Sequence, residues 1–301
     1  MVITVFTPTY NRGFILETLY RSLLRQSFRD FEWLIMDDGS TDNTEELIKS
    51  WIKGNNTVNI RYYKQPNGGK CRAINRGLEL AEGTLFLVVD SDDYLTDDAL
   101  EKIDRWEKEL PKDGRYCGVS GNLGTAENNT SNTLFSGCYY DGSLLDRYKD
   151  ADGERAYAFY TEIHRNYPYP VFDGETFMTE AVTYNRMAHD GYKMRFYNDI
   201  ICIYEYLDDG LTKAGNRLFL QNPRGYGLWW REKEAFSGRS FLSALRLWYS
   251  YYCEMTFCDE QYRLTKKQCA EYIGAPEWTM YAASILHRIR QVWKKDDKKT
   301  I

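Results

Sequence analysis

Proline and histidine are scarce in this chain of 301 residues, seven and three respectively, and its seven cysteines form no C-x-x-C pair. Scattered cysteines in odd number argue against a disulfide framework or a zinc ribbon and fit thiols kept reduced. His164, His189 and His287 lie far apart, and no Ser-His-Asp or Cys-His arrangement has sequence support. No run approaches the roughly 18 apolar residues of a spanning helix. Met1 leads directly into VITVF, without the basic start, apolar stretch and small-residue cleavage site of a signal peptide. A cytoplasmic location is therefore expected, which would leave the N-x-T matches at Asn55 and Asn128 chemically idle. A dominant positive charge is also absent: 39 Lys and Arg stand against 44 Asp and Glu, for a net charge of -5. That balance argues against nucleic acid as a partner and leaves one local basic segment, KKDDKK at 294–299.

What is present is enough apolar material, 43% hydrophobic with 16% aromatic, for one large domain or one domain with a sizeable extension. Four short β-branched and aromatic runs, VITVF, FEWLIM, IRYYK and TLFLVV, read as strands. Between them Ile15, Leu16, Leu19 and Leu23, then Leu47, Ile48, Trp51 and Ile52, then Ala73, Ile74, Leu78 and Ala81 recur at helical spacing. Asp42 and Glu45 mark the second helix start with a capping-box pattern. Alternating strands and helices predict a parallel sheet, whose ligand crevice lies beyond the carboxyl ends of its strands. The segments found there are TPTYNRG, DDGSTD, QPNGGK and DSDD.

Each segment has an ordinary alternative. Asp37-Asp38-Gly39 is also a common turn, although adjacent acids beside a buried strand cost desolvation unless something compensates. Asp90, Asp92 and Asp93 suit a helix start as well as a hard divalent cation held by few carboxylates and phosphate oxygens. NGGK allows a close backbone approach, and Lys70, with Arg72 and Arg76 behind it, opens a helix where anions are favoured. Cys71 reads as a small buried thiol.

Taken in order, TPTYNRGFILETLYRSLLRQSFRDFEWLIMDDGSTDNT, NGGKCRAINRGLELAEG and VVDSDD resemble the family 2 glycosyltransferases, over about the first 110 residues. The resemblance implies an α/β fold of the GT-A type, Rossmann-like, with a mostly parallel sheet flanked by helices. It implies a catalytic domain over 1–211, divided into a nucleotide-sugar-binding half (1–110) and an acceptor-side half (111–211), followed by a helical extension over 212–301. It further implies Asp92 as the contact to Mn²⁺ or Mg²⁺, with Asp90 near the ribose and phosphates and able to share the metal. Asp38 would accept a hydrogen bond from the base, which suits a uracil N3–H. Tyr10 would stack on that base, and Thr7 and Pro8 would line its pocket by backbone contact. Asn67, Gly68 and Lys70 would receive the diphosphate.

Beyond residue 111 one strand, YCGVSGN, is followed by a polar stretch up to about 170. Phe177, Ala181, Tyr184 and Ala188 then share a helix face, with two candidate strands after it. Where many members of the resembled family carry a Glu-Asp pair with the catalytic base, this chain has Thr179-Glu180. Glu180 is the implied base, Glu175 its rival and Asp173 a weaker alternative.

The expected reaction is inverting, metal-dependent transfer of a hexosyl or N-acetylhexosaminyl group. The donor would be a nucleotide-diphosphate sugar, UDP-linked, and the acceptor a hydroxyl of a glycan or lipid-linked saccharide in bacterial surface-polysaccharide synthesis. Other classes compatible with the residues are a nucleotidyltransferase making the sugar nucleotide and a non-catalytic sugar-nucleotide-binding protein. The Trp- and Tyr-rich helices from about 227 onward read as packed on the catalytic domain or on a second copy in a homo-oligomer, while 281–299 suits peripheral contact with the inner membrane face.

Overall fold

The computed structural model describes residues 1–54, 57–148, 151–204, 215–236 and 240–297, with no side-chain description for 147–148 and 291–297. The expected boundary at 211–212, Asn55 and the last two residues of the basic segment, 298–299, fall outside what is described. Two compact units emerge, one of Met1–Tyr169 with Thr183–Asp208, the other of Pro170–Val182 with Asp209–Ile301.

The first unit begins with the expected alternation. Strands β1 (Ile3–Thr9), β2 (Phe31–Asp37), β3 (Asn59–Lys64) and β4 (Leu85–Val88) are separated by helices α1 (Leu16–Arg25), α2 (Thr44–Gly54) and α3 (Lys70–Leu80). They pair in parallel in the spatial order β3-β2-β1-β4. The sheet then turns mixed. After β5 (Tyr94–Leu95) and α4 (Ala99–Lys108) come β6 (Tyr116–Gly124), β7 (Tyr139–Ser143), β8 (Arg155–Tyr160), α5 (Thr161–Arg165), α6 (Ala181–His189) and β9 (Lys193–Ile203). Strand β8 runs antiparallel between β4 and β6, and β6 pairs in parallel with β9. Parallel pairing is therefore continuous across the first four strands and returns between β6 and β9.

Several local expectations change. The two strands read after α6 are one, β9: Asn198 and Asp199 look like a turn, but the chain stays extended past them. Asn198 spends its amide on both backbone groups of Phe135, donating to the carbonyl at 2.7 Å and accepting from the N–H at 3.3 Å. Strands β7 and β8 arise inside the stretch read as polar loop. There Asn132 bonds Asn122 and both backbone groups of Glu154, fastening the connection to the sheet. Helix α6 begins at Ala181, so Phe177 precedes it. The capping box at α2 forms only by half: Asp42 accepts from the Thr44 amide, whereas Glu45 turns to Lys49 and Lys64.

The core lies under the sheet, where Trp33 stacks against Tyr20 and Trp51. Glu32, the polar residue inside FEWLIM, is fully buried and accepts from Thr4 Oγ1 (2.5 Å), the Glu82 amide (2.8 Å) and Arg61 Nη1 (2.7 Å). Three donors offset the desolvation of its charge. No disulfide joins any of the seven cysteines, and Cys71 is buried. The second unit holds helices α7 (Asn216–Gln221), α8 (Pro223–Phe236), α9 (Phe241–Met255), α10 (Lys266–Ile273) and α11 (Glu277–Asp297) around a core that includes Tyr226, Tyr251 and Met280. Among the described residues no helix is long and apolar enough to cross a membrane.

Helix α3 approaches β1 so closely that a Cβ on Gly77 would stand 2.1 Å from Phe6 Cε2. That ring is fully buried and stacks on Phe86 at 5.0 Å, so it has no room to yield. Gly77→Ala gains about 1 kcal/mol in helix propensity but meets an overpacking cost of about 1–3 kcal/mol. A net loss of stability in urea denaturation is expected; a gain would show that the contact is loose.

Candidate active site

At the carboxyl ends of the parallel strands, the loops after β1 and β2 are tied to each other. Asn11 takes a left-handed conformation (φ 53°), which asparagine tolerates better than most residues. Its amide donates to Ser40 Oγ at 2.9 Å, and its Oδ1 accepts from the Thr41 amide at 2.8 Å. From the other side Asp42 accepts from the Gly13 amide (3.1 Å) and Thr44 Oγ1 (2.5 Å). Burial pushes the Asp42 carboxyl up, but the bonds from Thr44 and Gly13 outweigh it and leave it below the ordinary value. Much of DGSTDNT is thus a fastening between two loops.

The two acids ahead of it divide their work. Asp37, fully buried, accepts from the Ser40 amide and from Tyr62 OH, each at 2.7 Å. Burial and the Asp37 charge together push the Tyr62 phenol well above its usual range. Asp38 accepts from Gln65 Nε2 (2.7 Å), the Gly68 amide (3.1 Å to each oxygen) and the Gly69 amide (2.7 Å). Its carboxylate therefore holds the NGG turn by the backbone. Gly39 (φ 90°) lies so close to that turn that a Cβ would stand 2.9 Å from the Asn67 amide nitrogen, and Gly69 (φ 92°) precedes α3. Both backbone conformations favour glycine.

Lys70, first in α3, donates from Nζ to Asp90 Oδ2 at 2.8 Å, joining the third rim segment to the fourth. Arg72 bonds back to the Gly68 carbonyl at 2.7 Å, and Arg76 pairs with Glu79 on an exposed face. Lys70 thus meets an acid of the fourth rim segment. Burial first, then the charge of Asp90, raises the Asp92 carboxyl, while Arg12 and Lys70 pull the other way without prevailing. Burial and the charges of Asp90 and Asp92 push Asp93 up to about 8. Here, unlike at Asp37 and Asp38, acids crowd together, and among the described residues Arg12 and Lys70 offset their charge only in part.

No cluster of three or more His, Cys, Asp or Glu side chains arranged to hold a metal occurs among the described residues. Two carboxylates with a charge deficit fit a hard cation whose other ligands come from phosphate and water, as Mg²⁺ prefers, rather than an all-protein cage.

Thr7 is buried with its hydroxyl accepting from Trp33 Nε1 at 2.9 Å, which leaves only its backbone for a ligand. Pro8 is half-buried, and Tyr10 is 48% exposed at the rim. Gln65, Asn11 and Thr9 were not singled out in the sequence. The Thr9 hydroxyl is buried without a hydrogen-bond partner among the described residues, and the Thr9 carbonyl accepts from the Asp38 amide at 2.8 Å. Asparagine before a glycine-containing polar loop was the one available signal for Asn11.

The acceptor-side candidates belong to the second unit. Glu175 is buried, and its two oxygens accept from the Arg224 (2.7 Å) and Gly225 (2.9 Å) amides in the first turn of α8. It is a helix cap by geometry. Asn222 Oδ1 fastens the same segment by accepting from the Thr176 and Phe177 amides. Glu180 is half-buried immediately before α6, where the Thr179 hydroxyl accepts from the Ala181 amide at 3.3 Å. Asp173 is exposed.

A sheet whose parallel half gathers acids, a lysine and a glycine turn on one rim defines a GT-A-type α/β protein, and solved structures of that fold superpose on it. S. aureus TarS 1-349, in complex with UDP-GlcNAc, has a TM-score of 0.57 at 17% identity, with 91% of this chain and 70% of that one covered. A mannosyltransferase from Pyrobaculum calidifontis in complex with GDP-Man and Mn²⁺ has a TM-score of 0.55 at 18% identity, covering 97% and 87%. The chain belongs to glycosyl transferase family 2, whose profile matches residues 4–174, more than half of its length. Among curated relatives, glycosyltransferase GlyG of Streptococcus pneumoniae is 32% identical over 102 residues, so the match spans 34% of this chain and 34% of that one.

Because the Asp93 carboxyl is raised in the fold above its ordinary 3.8, the native state is favoured while that group is protonated and loses stability as pH climbs from 3.8 through about 8. Asp93→Asn removes the loss. Its urea midpoint should exceed that of the wild type at about pH 8 and match it at about pH 4; equal midpoints at both would show that Asp93 carries no burial penalty.

Proposed function

We propose that this chain is an inverting, metal-dependent glycosyltransferase that moves a sugar from a UDP-sugar to a hydroxyl of a glycan or lipid-linked saccharide in bacterial surface-polysaccharide synthesis. The observation that carries the reading is the charge arrangement after β4, where Lys70 meets Asp90 while burial and the charge of Asp90 still hold the Asp92 carboxyl raised. A nucleoside diphosphate with its cation supplies what that arrangement lacks. Family membership and the relative from Streptococcus pneumoniae support the transfer reaction. The complexes of the two structural neighbours, one with UDP-GlcNAc and one with GDP-Man and Mn²⁺, support a nucleotide-sugar donor and a divalent ion.

In this reading Asp92, with Asp90, holds Mn²⁺ or Mg²⁺, which neutralises charge on the departing diphosphate. Lys70 faces the same oxygens, and the Asn67-Gly68 turn lets the backbone approach them. Asp38 keeps that turn in place, and a uracil N3–H takes the position now held by the Gln65 amide, with Tyr10 stacking on the ring and Thr7 and Pro8 forming the pocket wall by backbone. Glu180 is the base that takes the proton from the acceptor hydroxyl as C1 is attacked from the side opposite the nucleotide, which inverts the anomeric centre. Glu175 is left to cap α8. The catalytic machinery is assigned to 1–211 and the helices beyond it to a C-terminal extension.

Glu180→Gln is expected to lower transfer, followed as UDP release from a panel of UDP-sugars and saccharide acceptors, by roughly 10²–10⁴-fold while UDP affinity is retained. Asp92→Asn should lower both transfer and the metal dependence of UDP binding. Full turnover in the Glu180 variant would remove it as the base.

A further inference from the structure

Helix α11 carries two apolar faces. One is spent inside the second unit: Thr279, Met280, Ala283 and Ser284 are buried, with Met280 packed in the cluster that contains Tyr251 and Ile273. The other bears Trp278 (60% exposed), Tyr281 (51%), Ile285 (60%), Leu286 (56%) and Ile289 (49%). At about 3.6 residues per turn, positions 278, 281, 285 and 289 form a stripe along the side opposite the buried one. Single exposed apolar residues are ordinary, but four large ones aligned on one helix, with Leu286 beside them, are a surface with a use.

Charge points to the occupant. Arg288, exposed, borders the stripe beside Tyr281 at helical spacing, whereas Arg290, also exposed, follows the buried face seven residues after Ala283. From Glu277 to the end of the chain six Lys and Arg stand against three Asp and Glu, whereas the whole chain has 39 against 44. A basic end on an acidic chain is complementary to anionic headgroups. A two-fold contact with a second copy would instead place basic helix against basic helix. Trp278 and Tyr281 also present rings of the kind that settle at a membrane–water boundary, and Lys266 Nζ sits 4.7 Å above the Tyr281 ring, bringing another cation to the same patch.

We propose that the exposed face of α11 docks on an anionic lipid surface as an interfacial amphipathic helix, with the apolar stripe entering the headgroup boundary and the flanking basic residues meeting lipid phosphates. The inference does not rest on the transferase assignment, because lipid binding is read without donor or acceptor.

The test is co-sedimentation of the full chain with vesicles of phosphatidylcholine containing phosphatidylglycerol, and with phosphatidylcholine alone. The wild type is expected to sediment with the anionic vesicles, to bind the neutral ones roughly tenfold more weakly or worse, and to be released as salt rises from ~0.05 to ~0.5 M. Ile285→Glu with Ile289→Glu should lose binding by roughly tenfold or more, while a thermal melt matching the wild type shows the fold is kept. Lys266→Glu with Arg288→Glu should weaken binding to the anionic vesicles alone. Three outcomes would overturn the proposal. One is a wild type that ignores both vesicles, and another is binding that the Ile variant retains. The third is a wild-type dimer in sedimentation equilibrium that the Ile variant converts to monomer, with no vesicle binding by either.

Discussion

The rim of the first unit depends on one carboxylate. Asp38, at the end of β2, reaches the amides of Gly68 and Gly69 and so determines where the NGG turn lies and where α3 begins. Because α3 begins there, Lys70 stands where it can meet Asp90 at the end of β4. A buried charge is tolerable only when donors surround it, and the donors here are backbone groups of the loop that needs positioning. The same act satisfies the acid and shapes the site. Beside it, Asn11 and Asp42 hold the loops after β1 and β2 together, so the rim is built from mutually fastened segments rather than independent turns.

The acids of the rim fall into two electrical conditions. Asp37, Asp38 and Asp42 are each supplied with two or more donors. Asp92 and Asp93 are pushed up by burial and by neighbouring acids, with Lys70 a partial offset for both. Strongly perturbed groups of this kind cluster where a ligand completes the charge balance. On the acceptor side, Glu175 accepts from two α8 amides.

Strand and helix alternation was readable through β4 because each element there is a short apolar run or a clear helical stripe between glycine and aspartate punctuation. In the second half β6 and most of α6 were readable too, and the reading failed at β7, β8 and β9 for physical reasons. In β9 the pair Asn198-Asp199 resembles a turn, but the Asn198 amide is committed to the Phe135 backbone across the sheet, a contact 63 residues away in sequence. Strands β7 and β8 hide in polar sequence because side chains such as Asn132 bond the neighbouring chain rather than water. At the rim, the identity of the important residues could be read from the strand ends, but their partners could not. Nothing in DDGSTD distinguishes an acid that grips a distant turn from one that faces a ligand, since that depends on which amides arrive from Gly68 and Gly69. Nor does local sequence reveal that 170–182 belongs with the C-terminal helices, a matter settled by Asn222 and the α8 amides.

The central claim is that this rim receives a nucleoside diphosphate together with a divalent cation. Calorimetric titration of UDP into the full chain, first with Mn²⁺ and then with EDTA, and alongside GDP, TDP and CMP, tests it most directly. Binding of UDP that requires Mn²⁺ and fails with the other nucleotides is the predicted result. Absence of binding by every nucleotide in the presence of Mn²⁺ would contradict the account and reduce the aspartates after β4 to turn residues.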